Sequence, residues 1–296
     1  MSASGENPPT DAAPPAPATT ERGPSRIRVT VAASLVGLFV LAALFGPMLL
    51  GYDAVQTRTG ERLLPPGTVL STGELALLGT DQVGRDVLSQ VMQGARISMT
   101  VGVATVLLAG TIGTIIGVIA AYVGGAVDSV LMRIADIQLA FPAILLAILI
   151  AAVLGPSVTN VIITLAIARW VTFARVVRSS VLSTKGREYV DSARVLGASH
   201  WRVIGQHILP AAITPLVIIA TVEFGLVIIA EASLSFLGLG TPPGSPSWGL
   251  TIANGRDHLA TAWWISTMPG LALAIVMVSV GMLGDELRDR LDPNLR

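Results

Sequence analysis

A helix needs about 20 apolar residues to cross the hydrocarbon core of a bilayer. Four stretches of this chain reach that length without a charged side chain: Val29 to Leu50, Ile97 to Val123, Ile137 to Ala168 and Ile265 to Gly284. A fifth, from Pro210 to about Gly238, carries only Glu223 and Glu231. Gly155-Pro156-Ser157 and Asn160 divide the third run, which predicts two antiparallel helices around a tight turn. Charged residues make up 13% of the chain, against about 25% in an ordinary soluble domain. Mean hydropathy is +0.71. The chain reads as an all-α integral membrane protein with six transmembrane helices.

Its layout follows from these runs. Residues 1–28 are rich in Pro, Ala and Thr and bury too little to offset ordering, so they are expected to be a disordered cytoplasmic tail. Residues 29–50 form the first transmembrane helix, since the run is too long and its leader too extended for a cleaved signal peptide. Residues 51–96 form an extracytoplasmic segment; Leu88, Val91 and Met92 share a helical face, which predicts a short helix lying on the membrane surface. Residues 97–285 hold five further spans, with a short charged loop around Asp128, Arg133 and Asp136. Gly113 and Gly117 sit four apart, the spacing of close helix packing. Residues 286–296 form a cytoplasmic tail.

Orientation follows from the basic residues. With both termini in the cytoplasm, Arg22, Arg26, Arg28, Arg133, Arg178, Lys185, Arg187, Arg194, Arg202, Arg288 and Arg290 fall inside. Only Arg58, Arg62, Arg85 and Arg256 fall in outside loops, with Arg96 at a span edge.

Between two spans lies the longest amphipathic interval, Arg187 to Pro210, within a loop over residues 183–209. Glu188, Asp191, Arg194 and Arg202 alternate with Val190, Ala193, Val195, Leu196, Ala198, Trp201 and Ile204. Gly197 interrupts the pattern, so two short helices joined there are expected, with Ser199 capping the second and Pro210 closing the stretch. A protein needs no such element to stay in lipid.

Other chemistry is sparse. No G-x-x-x-x-G-K-[ST] loop precedes Lys185, so ATP dependence requires a separate subunit. His200, His207 and His258 form no metal motif, there are no cysteines, and Ser233 and Ser235 have no evident base, so no catalytic or metal site is expected. Zero net charge argues against nucleic acid as a partner. Ionisable groups inside a span are costly and often functional. Arg169, Glu223 and Glu231 are therefore candidates for the pathway or for intramembrane pairing, and a titrating Glu223 or Glu231 would fit a proton-coupled secondary transporter.

Asp191-Ser192-Ala193, Gly197 and Leu209-Pro210 resemble the "EAA" coupling loop of the permease subunits of bacterial ABC importers. Asp191, Ser192 and His207 depart from the general motif. Leu78-Gly79-Thr80-Asp81 with Gly84-Arg85-Asp86, the run EASLSFLGLG from Glu231, Pro246-Ser247-Trp248-Gly249 and the ending Gly284-Asp285 to Pro293 are similar to the dipeptide and oligopeptide subfamily, in its "C"-type subunit. The resemblance implies a type I ABC importer permease fold in the bacterial inner membrane. It implies a second, homologous permease subunit, two ATP-binding subunits and an extracytoplasmic substrate-binding protein as partners. ATP and Mg would be held by the partners, with no cofactor on this chain. Glu188, Asp191, Ala193, Arg194, Gly197, Ala198, Trp201, Arg202, Ile204 and Pro210 would then be the ATPase-coupling residues, with Ala198, Trp201 and Ile204 as docking surface. Peptides are the expected cargo, with nickel or glutathione as alternatives and a membrane enzyme as a more distant one.

Overall fold

A computed structural model describes residues 26–49, 55–242 and 244–291. The expected tail up to residue 25, Leu50 and residues 292–296 lie outside the described residues. In chain order, α1 spans Arg26–Leu49; a two-stranded hairpin pairs β1 (Thr68–Val69) with β2 (Leu75–Ala76); and α2 spans Val87–Val123. Then come α3 (Gly125–Leu139), α4 (Ala143–Leu154), α5 (Val158–Lys185), α6 (Glu188–Val195), α7 (His200–Val203), a π-helical turn at Ile204–Ile208, α8 (Leu209–Phe236), α9 (Trp248–Gly255) and α10 (Trp264–Leu291). Among the described residues, five helical stretches are long and apolar enough to cross a membrane, and α3 with α4, bent by 86°, supply a sixth when counted as one span.

Several boundaries differ from the expectation, each for a local reason. Among the described residues no separate surface helix precedes the second span. Asp86 accepts a hydrogen bond from the Ser89 amide at 2.7 Å, and from that cap α2 continues unbroken for 37 residues. The charged loop after α2 is helical instead. Arg178 grips Asp128 through two 2.6 Å hydrogen bonds, and Arg175 reaches Asp136 at 2.6 Å, so the α3 charges are matched from α5. α10 continues past residue 285, where Glu286 and Arg290 pair one turn apart.

α2 and α5 form the centre. A Cβ on Gly113 would sit 2.6 Å from the Trp170 carbonyl oxygen, and one on Gly117 would sit 2.5 Å from that of Ala174. Bare glycine lets the two backbones meet. Val101, Val161, Leu165, Val227 and Leu234 fill the contact with α4 and α8. Phe39, Ala43, Ile228, Trp248 and Val276 join α1, α8, α9 and α10. Leu38, Leu41, Leu44, Leu149, Val153 and Val278 point outward, an apolar surface that only lipid or another chain would cover.

Residues 55–86 and α9 cap one end of the bundle. Trp264 Nε1 donates to the Thr80 carbonyl at 3.1 Å and Trp248 Nε1 donates to that of Val91 at 2.8 Å. Within the cap, hydrogen bonding from Ser71 holds the Glu61 carboxyl below its ordinary range. α6 and α7 lie at the other end, beside the last turns of α2 and α5.

Candidate functional site

The loop between α5 and α8 is built by a helix stop and a restart. Gly197 has φ +84°, the left-handed region that a side chain disfavours. Its amide donates to the Arg194 carbonyl at 3.0 Å and that of Ala198 donates to Ala193 at 3.0 Å, the pair of bonds that terminates a helix at a following glycine. Ser199 then stands at the N-cap of α7 with extended backbone, but its hydroxyl makes no capping bond, contrary to expectation. Pro210 does not close the stretch. The helix passes through it, because the turn before it widens: the Leu209 amide bonds the Ile204 carbonyl, five residues back. A proline in a continuing helix lacks one donor and crowds the preceding turn, and the wide turn makes room for it.

The loop is anchored to the bundle. Val190, Val203 and Ile208 are fully buried against Val118, Ala121, Val177 and Val181. Lys185 Nζ donates to the Ala121 carbonyl at 2.5 Å. The Tyr122 hydroxyl and His200 Nδ1 share a hydrogen bond of 2.7 Å, and the Arg194 guanidinium lies 5.9 Å from the centre of the Tyr122 ring. Tyr189 and His207 meet edge to face.

Outward from this anchored base stand three large apolar side chains: Val195 and Leu196, each 87% exposed, and Trp201, 84% exposed. Ala198 and Ile204 do not join them. They are half-buried and pack inward on the Val190–Val203 cluster, so the outward apolar surface is carried by Val195 and Leu196 with Trp201. Glu188, Asp191, Arg194 and Arg202 are exposed around it, with Asp191 and Arg194 paired at 3.0 Å; Ala193 is half-buried.

Deeper in the bundle, Glu223 on α8 is buried and lies 3.5 Å from Arg169 on α5. Glu231 is fully buried and pairs with no cation among the described residues; Ser98 on α2 and Ser235 donate to it at 3.1 and 2.7 Å. The two carboxylates thus tie α8 to different neighbours.

Residues 113–296 match the family described as "Binding-protein-dependent transport system inner membrane component". This chain belongs to that family. It is 44% identical over 262 residues to a putative peptide transport system permease protein of Brucella suis, covering 88% of this chain and 86% of that one. It is 37% identical over 259 residues to the di/tripeptide transport system permease protein DppC of Pseudomonas aeruginosa, with 88% and 86% covered. Among solved structures, a chain of the inward-facing MetNI methionine ABC transporter superposes with a TM-score of 0.56 at 16% identity, covering 69% of this chain and 96% of that one. The fold is that of a type I ABC importer permease. As an inner membrane component, the chain works with substrate-binding and ATP-binding partners and spans the membrane several times.

The structure brings the ten loop candidates together at one end of the bundle and leaves Arg169, Glu223 and Glu231 within it. Tyr122 is what the sequence reading missed. Its partner His200 lies 78 residues on, and only the fold joins them. The visible signal was an aromatic hydroxyl at the last turn of an apolar helix, just before Gly124-Gly125.

Proposed function

We propose that the chain is a transmembrane permease subunit of an ATP-driven, binding-protein-dependent importer of di- or oligopeptides. A second, homologous permease subunit would complete the pathway, and two ATP-binding subunits would carry ATP and Mg on the side of α6 and α7. An extracytoplasmic binding protein would deliver peptide at the capped end. The orientation with both termini in the cytoplasm puts α6 and α7 where the ATP is, in line with the excess of arginine at that end.

The observation that carries this reading is the exposed patch of Val195, Leu196 and Trp201 on a loop anchored rigidly to α5 and α8. Bare apolar surface of this kind on a polar, non-spanning element marks a protein partner. Movement of that partner would push the loop and tilt the two long helices continuous with it. A pathway open to one side then opens to the other, a two-state element biased from both ends. Glu188, Asp191, Arg194 and Arg202 set the docking orientation by charge, and Gly197 allows the turn between α6 and α7. Arg169 and Glu223 hold one another across α5 and α8. That makes structural pairing or pathway lining a better role for Glu223 than proton carriage.

The test is uptake of a labelled dipeptide by the complete complex in proteoliposomes with ATP inside. Trp201→Asp abolishes uptake while insertion and folding persist. Normal uptake by that variant, or uptake by this chain alone down a proton gradient, would overturn the assignment.

A further inference from the structure

α2 makes specific bonds to both ends of the molecule. With 37 residues at about 1.5 Å each, it is roughly 55 Å long. At the capped end, the Gln90 amide donates to Asp81 at 3.0 Å, Gln90 accepts from Thr251 at 3.4 Å, and Val91 accepts from Trp248. Midway, Ser98 is bonded to Glu231 of α8. At the far end, Tyr122 touches both short helices of the loop, α6 through the Arg194 guanidinium and α7 through His200. Next to it, Lys185 at the end of α5 bonds the Ala121 carbonyl.

We infer that Tyr122 is a positioning residue that gears α2 to the coupling loop, so that displacement of the loop is carried along α2 as well as along α5 and α8. The inference rests on the loop being the docking site for an ATP-hydrolysing partner. α6 and α7 meet at the Gly197 turn and share the buried cluster of Val190 and Val203, and α7 runs on into α8. Tyr122 bridges that turn from outside: one face of its ring meets the α6 cation and its hydroxyl meets the first residue of α7. A push on Trp201, the residue after His200, therefore reaches α2 directly. Without the bridge, motion still passes into α8, with which α7 is continuous, but the share carried along α2 is lost.

The measurement is dipeptide transported per ATP hydrolysed, using the complete reconstituted complex. A merely structural defect lowers transport and hydrolysis together and leaves this ratio alone. Tyr122→Phe keeps the ring and removes the hydroxyl. The ratio is expected to fall roughly fivefold, the factor by which loss of one ordinary hydrogen bond shifts a two-state equilibrium. His200→Ala is expected to do the same, and the double variant no more than either alone. An unchanged ratio in Tyr122→Phe, or additive losses in the double variant, overturns the inference. If Trp201→Asp stops uptake while Tyr122→Phe keeps the full ratio, only the gearing falls. If Trp201→Asp transports normally, the docking assignment falls and this inference with it.

Discussion

Asp128 and Arg178 meet in a two-pronged ion pair, Nε to Oδ1 and Nη2 to Oδ2, each at 2.6 Å. It joins the first turn of α3 to the second half of α5, and with it a segment whose charges look like those of a loop becomes a helix laid against the bundle. Parallel geometry of this kind suits a guanidinium and no other side chain.

Arg178→Lys keeps the charge and loses the fork. It should lower the stability of the detergent-purified protein by about 1–2 kcal/mol, the range for hydrogen bonds to charged groups in a partly exposed pair. Asp128→Asn should do the same, and the double variant should cost less than the sum of the two. Thermal unfolding followed by tryptophan fluorescence reads all three; equal stability of Arg178→Lys and the unaltered chain contradicts the account.

At Gly197 the constraint is conformational, since nothing lies within 4 Å of the position a Cβ would take. Valine there has room but the wrong backbone angle, at a cost of about 1–2 kcal/mol, and it should abolish dipeptide uptake without affecting insertion. Asparagine tolerates the left-handed region and should retain most uptake. If Gly197→Asn and Gly197→Val behaved alike, strain would not be the reason for glycine.

At Gly117 the constraint is steric. Alanine would place a methyl 2.5 Å from the Ala174 carbonyl oxygen, and overpacking of this sort costs about 1–3 kcal/mol. The expected outcome is a lower midpoint of thermal unfolding for Gly117→Ala, while Gly281→Ala, whose added Cβ would meet nothing within 4 Å, should leave it unchanged.

Acid should loosen the cap. Glu61 is held below the ordinary glutamate value of 4.5 chiefly by hydrogen bonding from Ser71, with Arg58 adding to the effect. A depressed carboxyl contributes stability above its unfolded value, and that contribution is lost as pH falls through the lower folded value. Hydrogen exchange in the β1–β2 hairpin should therefore quicken, beyond its intrinsic pH dependence, below about pH 4.5. Glu61→Gln should remove that excess; an identical excess in the variant would exclude Glu61 as its source.

Much of the architecture was legible because lipid leaves little choice. Runs such as Val29 to Leu50 and Ile97 to Val123 can only be spans, and Gly197 could be read as a helix stop because glycine alone takes that turn cheaply. Failures arose where charge was taken as a sign of loop. Asp128 and Asp136 look solvated until Arg178 and Arg175 arrive from α5. Pro210 looked like a terminator because a widened turn leaves no mark in sequence. The resemblance implies Ala198 and Ile204 as docking surface, but after the Gly197 turn both pack inward on the Val190–Val203 cluster, and a motif does not show which way a side chain faces past such a break. The Tyr122–His200 bond was invisible for the plainest reason: neither residue predicts the other.

No break in helical winding separates Trp201 from Phe236; only the wide turn at Ile204–Ile208 interrupts its regular pitch. A twist applied at Trp201 is therefore repeated at Glu223, whose carboxylate stands 3.5 Å from Arg169 on a different rod. The exposed end of the loop and the buried carboxylate share one axle, so turning that axle shifts Glu223 relative to Arg169.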